Sequence, residues 1–139
     1  MTLMNSALNG MSTSSDASAI LLDTHILLWA LVDDPRLPQQ HRQFLIAGEG
    51  LIVSVVSIWE IAIKRPLGKL KVDGDIIKAV RSRGIPFLGV NEHHAARVEH
   101  LGQHHSDPFD RMLIAQAQVE NLAVLTADSH FARYDVTLA

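Results

Sequence analysis

The chain has 139 residues, a length that suits one domain with its own core. Hydrophobic residues make up 47% and charged residues 19%, a balance that excludes a disordered chain. Cysteine is absent, which excludes disulfides, thiolate zinc sites and cysteine nucleophiles, and the formal net charge of -3 excludes a broadly basic coat for gripping nucleic acid.

Residues 1–18 are rich in Ser, Asn, Thr and Met and hold no Lys or Arg. They lack the basic start and solid apolar stretch of a secretory signal and read as a disordered tail without function. Order is expected from Ala19, as one domain over residues 19–139. Ala19-Ile20-Leu21-Leu22 is a short apolar run suited to a strand buried on both faces. A helix follows over His25 to Leu31, then the loop Asp33-Asp34-Pro35 and a second helix from Gln39 to Glu49. Leu51 to Val55 predicts a second buried strand. Ser57 to Lys64 predicts a helix stopped by Pro66, and Leu67 to Val72 an extended or hairpin-like excursion. Asp75 to Ser82 predicts an amphipathic helix, Ile85 to Val90 a third strand, and Glu92 to Leu101 a polar, His-rich helix. Asp107 caps a helix running to Glu120, and Leu122 to Thr126 is a fourth strand. A helical turn near Ser129 to Ala132 leads to a last strand at Asp135 to Leu138. Strands alternating with helices define an α/β class, a mainly parallel sheet flanked by helices on both faces. No apolar run approaches the roughly 20 residues of a membrane helix, which suits a cytoplasmic protein.

In open parallel sheets, ligands bind beyond the carboxyl ends of the strands. Asp23 directly follows the first strand, and Glu60 lies one turn into the helix after the second. Asp110 lies in the first turn of the helix opened by Asp107-Pro108, and Asp128 closely follows the fourth strand. Singly, each has a structural reading. Asp23 and Asp128 suit helix caps, Ser57-Ile58-Trp59-Glu60 fits a capping box, and Asp110 suits the helix dipole. Jointly they are harder to assign to capping, because their flanks are strongly apolar and capping does not require acids at four strand exits. Gathered carboxylates repel, and a hard divalent cation, Mg²⁺ or Mn²⁺, neutralises them with oxygen ligands alone. Such a pocket suits hydrolysis of phosphodiesters, where the cation withdraws charge from phosphoryl oxygens and activates a water.

The segments Leu21-Leu22-Asp23-Thr24-His25, Ser57-Ile58-Trp59-Glu60-Ile61-Ala62-Ile63-Lys64, His105-Ser106-Asp107-Pro108-Phe109-Asp110-Arg111 and Leu125-Thr126-Ala127-Asp128 together resemble the PIN-domain family. Within it the resemblance is to VapC-like toxins of bacterial toxin–antitoxin pairs, and it runs from about Ile20 to the end of the chain. It implies a Mg²⁺- or Mn²⁺-dependent endoribonuclease, usually a homodimer, acting on RNA and silenced by a cognate antitoxin protein. The family's acidic positions match Asp23, Glu60, Asp110 and Asp128. In that reading Asp23 and Asp110 bind metal directly, while Glu60 and Asp128 act through water or orient the attacking water. Thr126 is expected to fix a carboxylate or that water.

Supporting candidates surround these acids. Asp107 lies on the same side of the helical turn as Asp110 and also suits a pure N-cap. Arg111 is a candidate to steady a carboxylate or touch substrate phosphate. Lys64, Arg65, Lys69 and Lys71 can grip RNA phosphates or form a solvated loop. Trp29 and Trp59 sit in apolar stretches and are expected in the core rather than stacked on bases. His25 is expected to point into its own apolar helix, either in a structural role or supporting the site from behind the residues that touch the metal. His100 and His104 share a zinc-ligand spacing, with surface histidines as the plainer account. Two other readings of the acidic pocket are a non-enzymatic metal- or phosphate-binding regulatory module and a structure-specific DNA nuclease.

Overall fold

The computed structural model describes residues 19–139, so the tail expected at 1–18 lies outside the described residues. Five strands are present: β1 (Ile20–Leu22), β2 (Leu51–Ser54), β3 (Phe87–Leu88), β4 (Ala123–Leu125) and β5 (Thr137–Leu138). All their pairings are parallel, in the order β3-β2-β1-β4-β5. Ile20 pairs with both Leu51 and Ala123, and Leu22 with Leu125, which sets the ends of β1 and β4 side by side. The chain moves outward from β1 to β3, then returns to place β4 on the opposite side of β1. The β1–β4 seam is therefore the point where the winding reverses, where ligands of such sheets bind.

Six α-helices complete the described residues: α1 (Thr24–Leu31), α2 (Gln39–Ala47), α3 (Val55–Lys64), α4 (Ile76–Ser82), α5 (Glu92–Arg97) and α6 (Pro108–Glu120). Short 3₁₀ turns lie at Val98–His100 and Ser129–Arg133. The alternation of strand side chains explains the layering. Leu21, Ile52 and Val124 join one core with Leu113, Ile114 and Phe131. Their neighbours Leu22, Leu51, Val53 and Leu125 face a second core with Ile26, Leu27, Ile61 and Val80. Continuous apolar strands are thus required, because both faces are covered.

Two expectations are corrected. The Leu67–Val72 excursion forms turns and irregular backbone with no strand. The Arg65 guanidinium braces the segment that follows, donating to the carbonyls of Val72 (3.3 Å) and Gly74 (3.0 Å). The third helix starts at Val55, not Ser57, because the Ser54 hydroxyl accepts the Val56 N–H at 2.9 Å and caps the helix there. That cap overrides the strand preference of two consecutive valines.

Candidate active site

Each acid reaches the seam by its own route. Asp23 ends β1, its N–H donating to the Leu125 carbonyl (3.0 Å), and its Oδ1 accepts the Ile26 N–H (2.8 Å) as the cap of α1. Its second oxygen accepts the Thr126 hydroxyl proton, and that hydroxyl in turn accepts the Asp128 N–H at 3.0 Å. Thr126 thus ties the exit of β4 to the exit of β1 through the Asp23 carboxylate. Asp128 caps the following 3₁₀ turn through the His130 N–H (2.9 Å), and its Oδ1 also lies 2.8 Å from His130 Nδ1.

Glu60 is different. With α3 beginning at Val55, it lies well inside the helix and the capping-box reading is excluded. It is 3% exposed, and its Oε2 accepts from Lys64 Nζ at 2.6 Å. Its Oε1 is buried with no hydrogen-bond partner, a costly state for a carboxylate oxygen unless something outside the chain serves it. Asp107 is the cap of α6, its Oδ1 accepting from the Phe109 and Asp110 N–H groups at 2.9 and 3.0 Å. That cap turns Asp110 inward.

The electrostatics show how closely the acids share one field. Burial pushes the Asp110 carboxyl from its ordinary 3.8 up to about 8, reinforced in turn by the charges of Asp107, Asp23, Glu60 and Asp128. Asp23 is raised too, chiefly by burial, which outweighs its hydrogen bonds from Ile26 and Thr126. Burial also acts upward on Asp128, but the hydrogen bonds and charge of His130 outweigh it and leave that carboxyl below its ordinary value. Burial works against the charge of Lys64, yet its pairing with Glu60 leaves its pKa raised. The acids form a repelling cluster offset mainly by Lys64 at one edge and His130 at another.

Arg111 does not steady a carboxylate directly, which corrects one expectation. Its guanidinium is buried and donates to the carbonyls of Gly102 (2.6 Å) and Val98 (3.2 Å) and to the Tyr134 hydroxyl (3.2 Å). These three acceptors form a polar cage around the guanidinium. The basic segment divides. Lys64 points into the acids, Arg65 braces a loop, and Lys69 and Lys71 line a cleft with His25, Trp29 and Arg36. His25 and Trp29 also line a smaller cleft with Asp23 and Asp128, so the two clefts meet at these rings.

His25 is exposed at the mouth of the site, and its ring lies tilted against Trp29 one turn along the same helix, with centroids 5.9 Å apart. Trp29 packs partly on the second core, as expected, and shows its remaining face to the clefts. Trp59 departs from expectation more strongly: it is 55% exposed, edge-on to Phe109 with ring centroids 5.1 Å apart. It shares the outer face of α3 with Val55 and Ile63, four residues away on either side. His104 packs edge-on against Tyr134 at 4.7 Å instead of pairing with His100.

Sequence reasoning missed Tyr134 and left His105 and His130 without roles. His105 Nδ1 lies 2.6 Å from the Tyr134 hydroxyl and its Nε2 3.4 Å from Asp110 Oδ2. Its ring stacks on His130 at 5.0 Å, with 10° between the planes. The only local signal was the position of His105, two residues ahead of the helix cap and so free to fold back over the first turn.

The donor set suits a hard divalent cation. Among the described residues no three acidic or imidazole groups close around one point as a finished coordination shell. Mg²⁺ needs less than that, because it retains several waters and takes one or two carboxylates directly. The unpartnered Glu60 oxygen and the raised Asp110 are what such a cation would relieve.

A parallel α/β sheet with an acidic pocket at its winding-reversal seam defines the class of protein. More particularly, the PIN domain family model matches residues 20–136, and the chain belongs to that family. Three solved structures share the fold. A chain of VapBC2 from Rickettsia felis, bound to a DNA fragment from their promoter, aligns with a TM-score of 0.64 and 16% identity, over 87% of this chain and 97% of that one. A chain of DNA-bound VapBC from Salmonella typhimurium aligns at 0.62 and 17% identity, over 88% and 97%. A chain of FitAcB from Neisseria gonorrhoeae aligns at 0.57 and 22% identity, over 86% and 95%. No curated protein matches the sequence. Among the described residues no helix is long and apolar enough to cross a membrane.

Proposed function

We propose that this chain is a metal-dependent endoribonuclease and the toxin of a toxin–antitoxin pair. The observation that carries the reading is the buried Glu60 oxygen left without a partner inside a cluster of acids from four separate segments. A ligand from outside the chain would satisfy that oxygen. Membership of the PIN domain family supports nuclease chemistry, and the VapBC and FitAcB structures with the same fold support the pairing with an antitoxin.

Asp23 and Asp110 would hold Mg²⁺ or Mn²⁺ directly, with Glu60 and Asp128 reaching it through water. Bound there, the cation would supply charge withdrawal from the phosphoryl oxygens and a more acidic water. The chain's own residues do the rest. Thr126 holds Asp23 against Asp128, Asp107 fixes the turn that presents Asp110, and Lys64 keeps Glu60 in place. An RNA strand leaving the acids would pass the His25–Trp29 rings and bring its phosphates to Lys69 and Lys71. Flat rings beside cations accept single-stranded bases in any sequence.

Two surfaces suit protein partners. A groove of about 310 Å³ is lined by Leu27, Leu31, Leu37, Leu45 and Ile46 with Arg42 at its rim, and would take an apolar antitoxin segment. The exposed Val55, Trp59 and Ile63 on α3 would meet a second copy of the chain in a homodimer.

The test is cleavage of labelled RNAs and single-stranded DNAs with Mg²⁺, Mn²⁺ or EDTA, comparing wild type with Asp110→Asn. The expected result is metal-dependent RNA cleavage lost in the variant. Cleavage of DNA alone would replace the substrate class. Cation binding without cleavage of any substrate would favour a regulatory module.

A further inference from the structure

The environment of Tyr134 contains a donor–acceptor count with one solution. Its hydroxyl has two lone pairs and one proton. Arg111 Nη1, which only donates, supplies one hydrogen bond to it at 3.2 Å, and the His105 backbone N–H supplies a second at 3.3 Å. Both lone pairs are then used. Among the described residues the hydroxyl proton has one remaining polar neighbour, His105 Nδ1 at 2.6 Å. Nδ1 therefore accepts, and the neutral ring carries its proton on Nε2. That N–H faces Asp110 Oδ2 at 3.4 Å. The stacked His130 ring covers one face of the imidazole, and His104 closes on the tyrosine from the side.

We propose that Arg111 and Tyr134 lock His105 in its Nε2–H tautomer, making His105 a positioning residue that fixes the rotamer of the Asp110 carboxylate. Arg111 is the anchor: its other bonds, to the carbonyls of Gly102 and Val98, hold the guanidinium so that it can only present a donor to the tyrosine. The neutral imidazole orients Asp110 with one hydrogen bond without adding a full positive charge that would compete with a cation. The consequence for metal rests on the acidic-pocket reading above. The tautomer does not.

Two readouts separate these layers. Nitrogen-15 NMR of the full chain in EDTA reports which ring nitrogen of His105 carries the proton. The Nε2–H form is expected in wild type, and Tyr134→Phe should produce a mixture of tautomers. Calorimetric titration with Mg²⁺ alone then reads the effect on the pocket. Tyr134→Phe should weaken Mg²⁺ binding about tenfold, the low end for residues that orient metal ligands. His105→Gln, whose amide can place a donor near the Nε2 position, should keep affinity within about threefold, while His105→Asn, whose amide falls near Nδ1, should lose about tenfold. A proton found on Nδ1 in folded wild type overturns the proposal, as does equal affinity in the Gln and Asn variants. If Asp110→Asn leaves Mg²⁺ binding unchanged, the acidic-pocket reading fails, and the tautomer measurement still decides the lock.

Discussion

The Asp110 carboxyl makes a signed prediction about stability and pH. Its pKa of about 8 in the folded protein stands against an ordinary 3.8, so the folded state holds a proton that the unfolded state releases across that window. A raised carboxyl favours folding of the protonated form. Its stabilising share is complete below pH 3.8 and is lost as pH climbs toward 8. The slope is about 1.4 kcal/mol per pH unit, and the whole displacement amounts to about 6 kcal/mol. Asp23 is displaced in the same direction, so it steepens the slope. Asp110→Asn removes the titration while keeping the shape. The variant should gain on wild type by about 4 kcal/mol between pH 5 and pH 8 in EDTA.

Urea unfolding of both proteins at unit pH steps measures this directly. Saturating Mg²⁺ supplies the second arm. At 100 times its dissociation constant it should stabilise wild type by about 2.7 kcal/mol and the variant much less, so the variant's advantage shrinks. A wild-type-to-variant difference that stays flat from pH 5 to pH 8 refutes the shared acid field. An equal Mg²⁺ gain in both proteins refutes the assignment of Asp110 as a ligand.

Other substitutions probe the supports. Thr126→Val keeps the shape but removes the hydroxyl that joins Asp23 to the Asp128 N–H, and should cost about 1–3 kcal/mol in urea unfolding. Thr126→Ser should recover most of that. Lys64→Met strands the 3%-exposed Glu60 without its cation and should cost about 3 kcal/mol in EDTA, with Mg²⁺ restoring part of the loss. Recovery absent at saturating Mg²⁺ would detach Glu60 from the metal site. Gln116→Leu removes the fully buried side chain that links the Ser54 hydroxyl (2.6 Å) to the Gly89 carbonyl (3.2 Å) and should cost about 1–3 kcal/mol. Adding Ser54→Ala should cost less than it does alone, because the two changes remove one shared hydrogen bond.

The strands were legible because a sheet covered on both faces demands apolar runs such as Ile20-Leu21-Leu22 and Ala123-Val124-Leu125, and few other elements do. The acids were legible because their neighbours are apolar, so a charge in those positions needs a reason. Boundaries set by single side-chain bonds were not. Ser54 reads as the end of a strand until its hydroxyl is seen capping α3. Trp59 reads as core from its apolar flanks, but its position on the helix sets it opposite the buried Ile61 side. Tyr134 was invisible for a stronger reason. Its partners Arg111 and His105 lie 23 and 29 residues away, beyond any local period.

Three of the pocket's acids have a second task, and this governs how the site can be dissected. Asp23, Asp107 and Asp128 each accept backbone N–H groups at a helix or turn start, while Glu60 accepts none. Asparagine caps about as well as aspartate and carries no charge, whereas alanine removes both functions at a cost of about 1 kcal/mol. An Asp→Ala series would therefore mix loss of fold with loss of chemistry at three positions, while an Asp→Asn series isolates the charge. At Glu60 there is no cap to lose, so Gln and Ala should differ only by packing and the bond to Lys64. The same double use explains how a repelling cluster survives folding. The fold already requires most of these carboxylates for its own backbone, and only their convergence at one seam is left for the ligand to resolve.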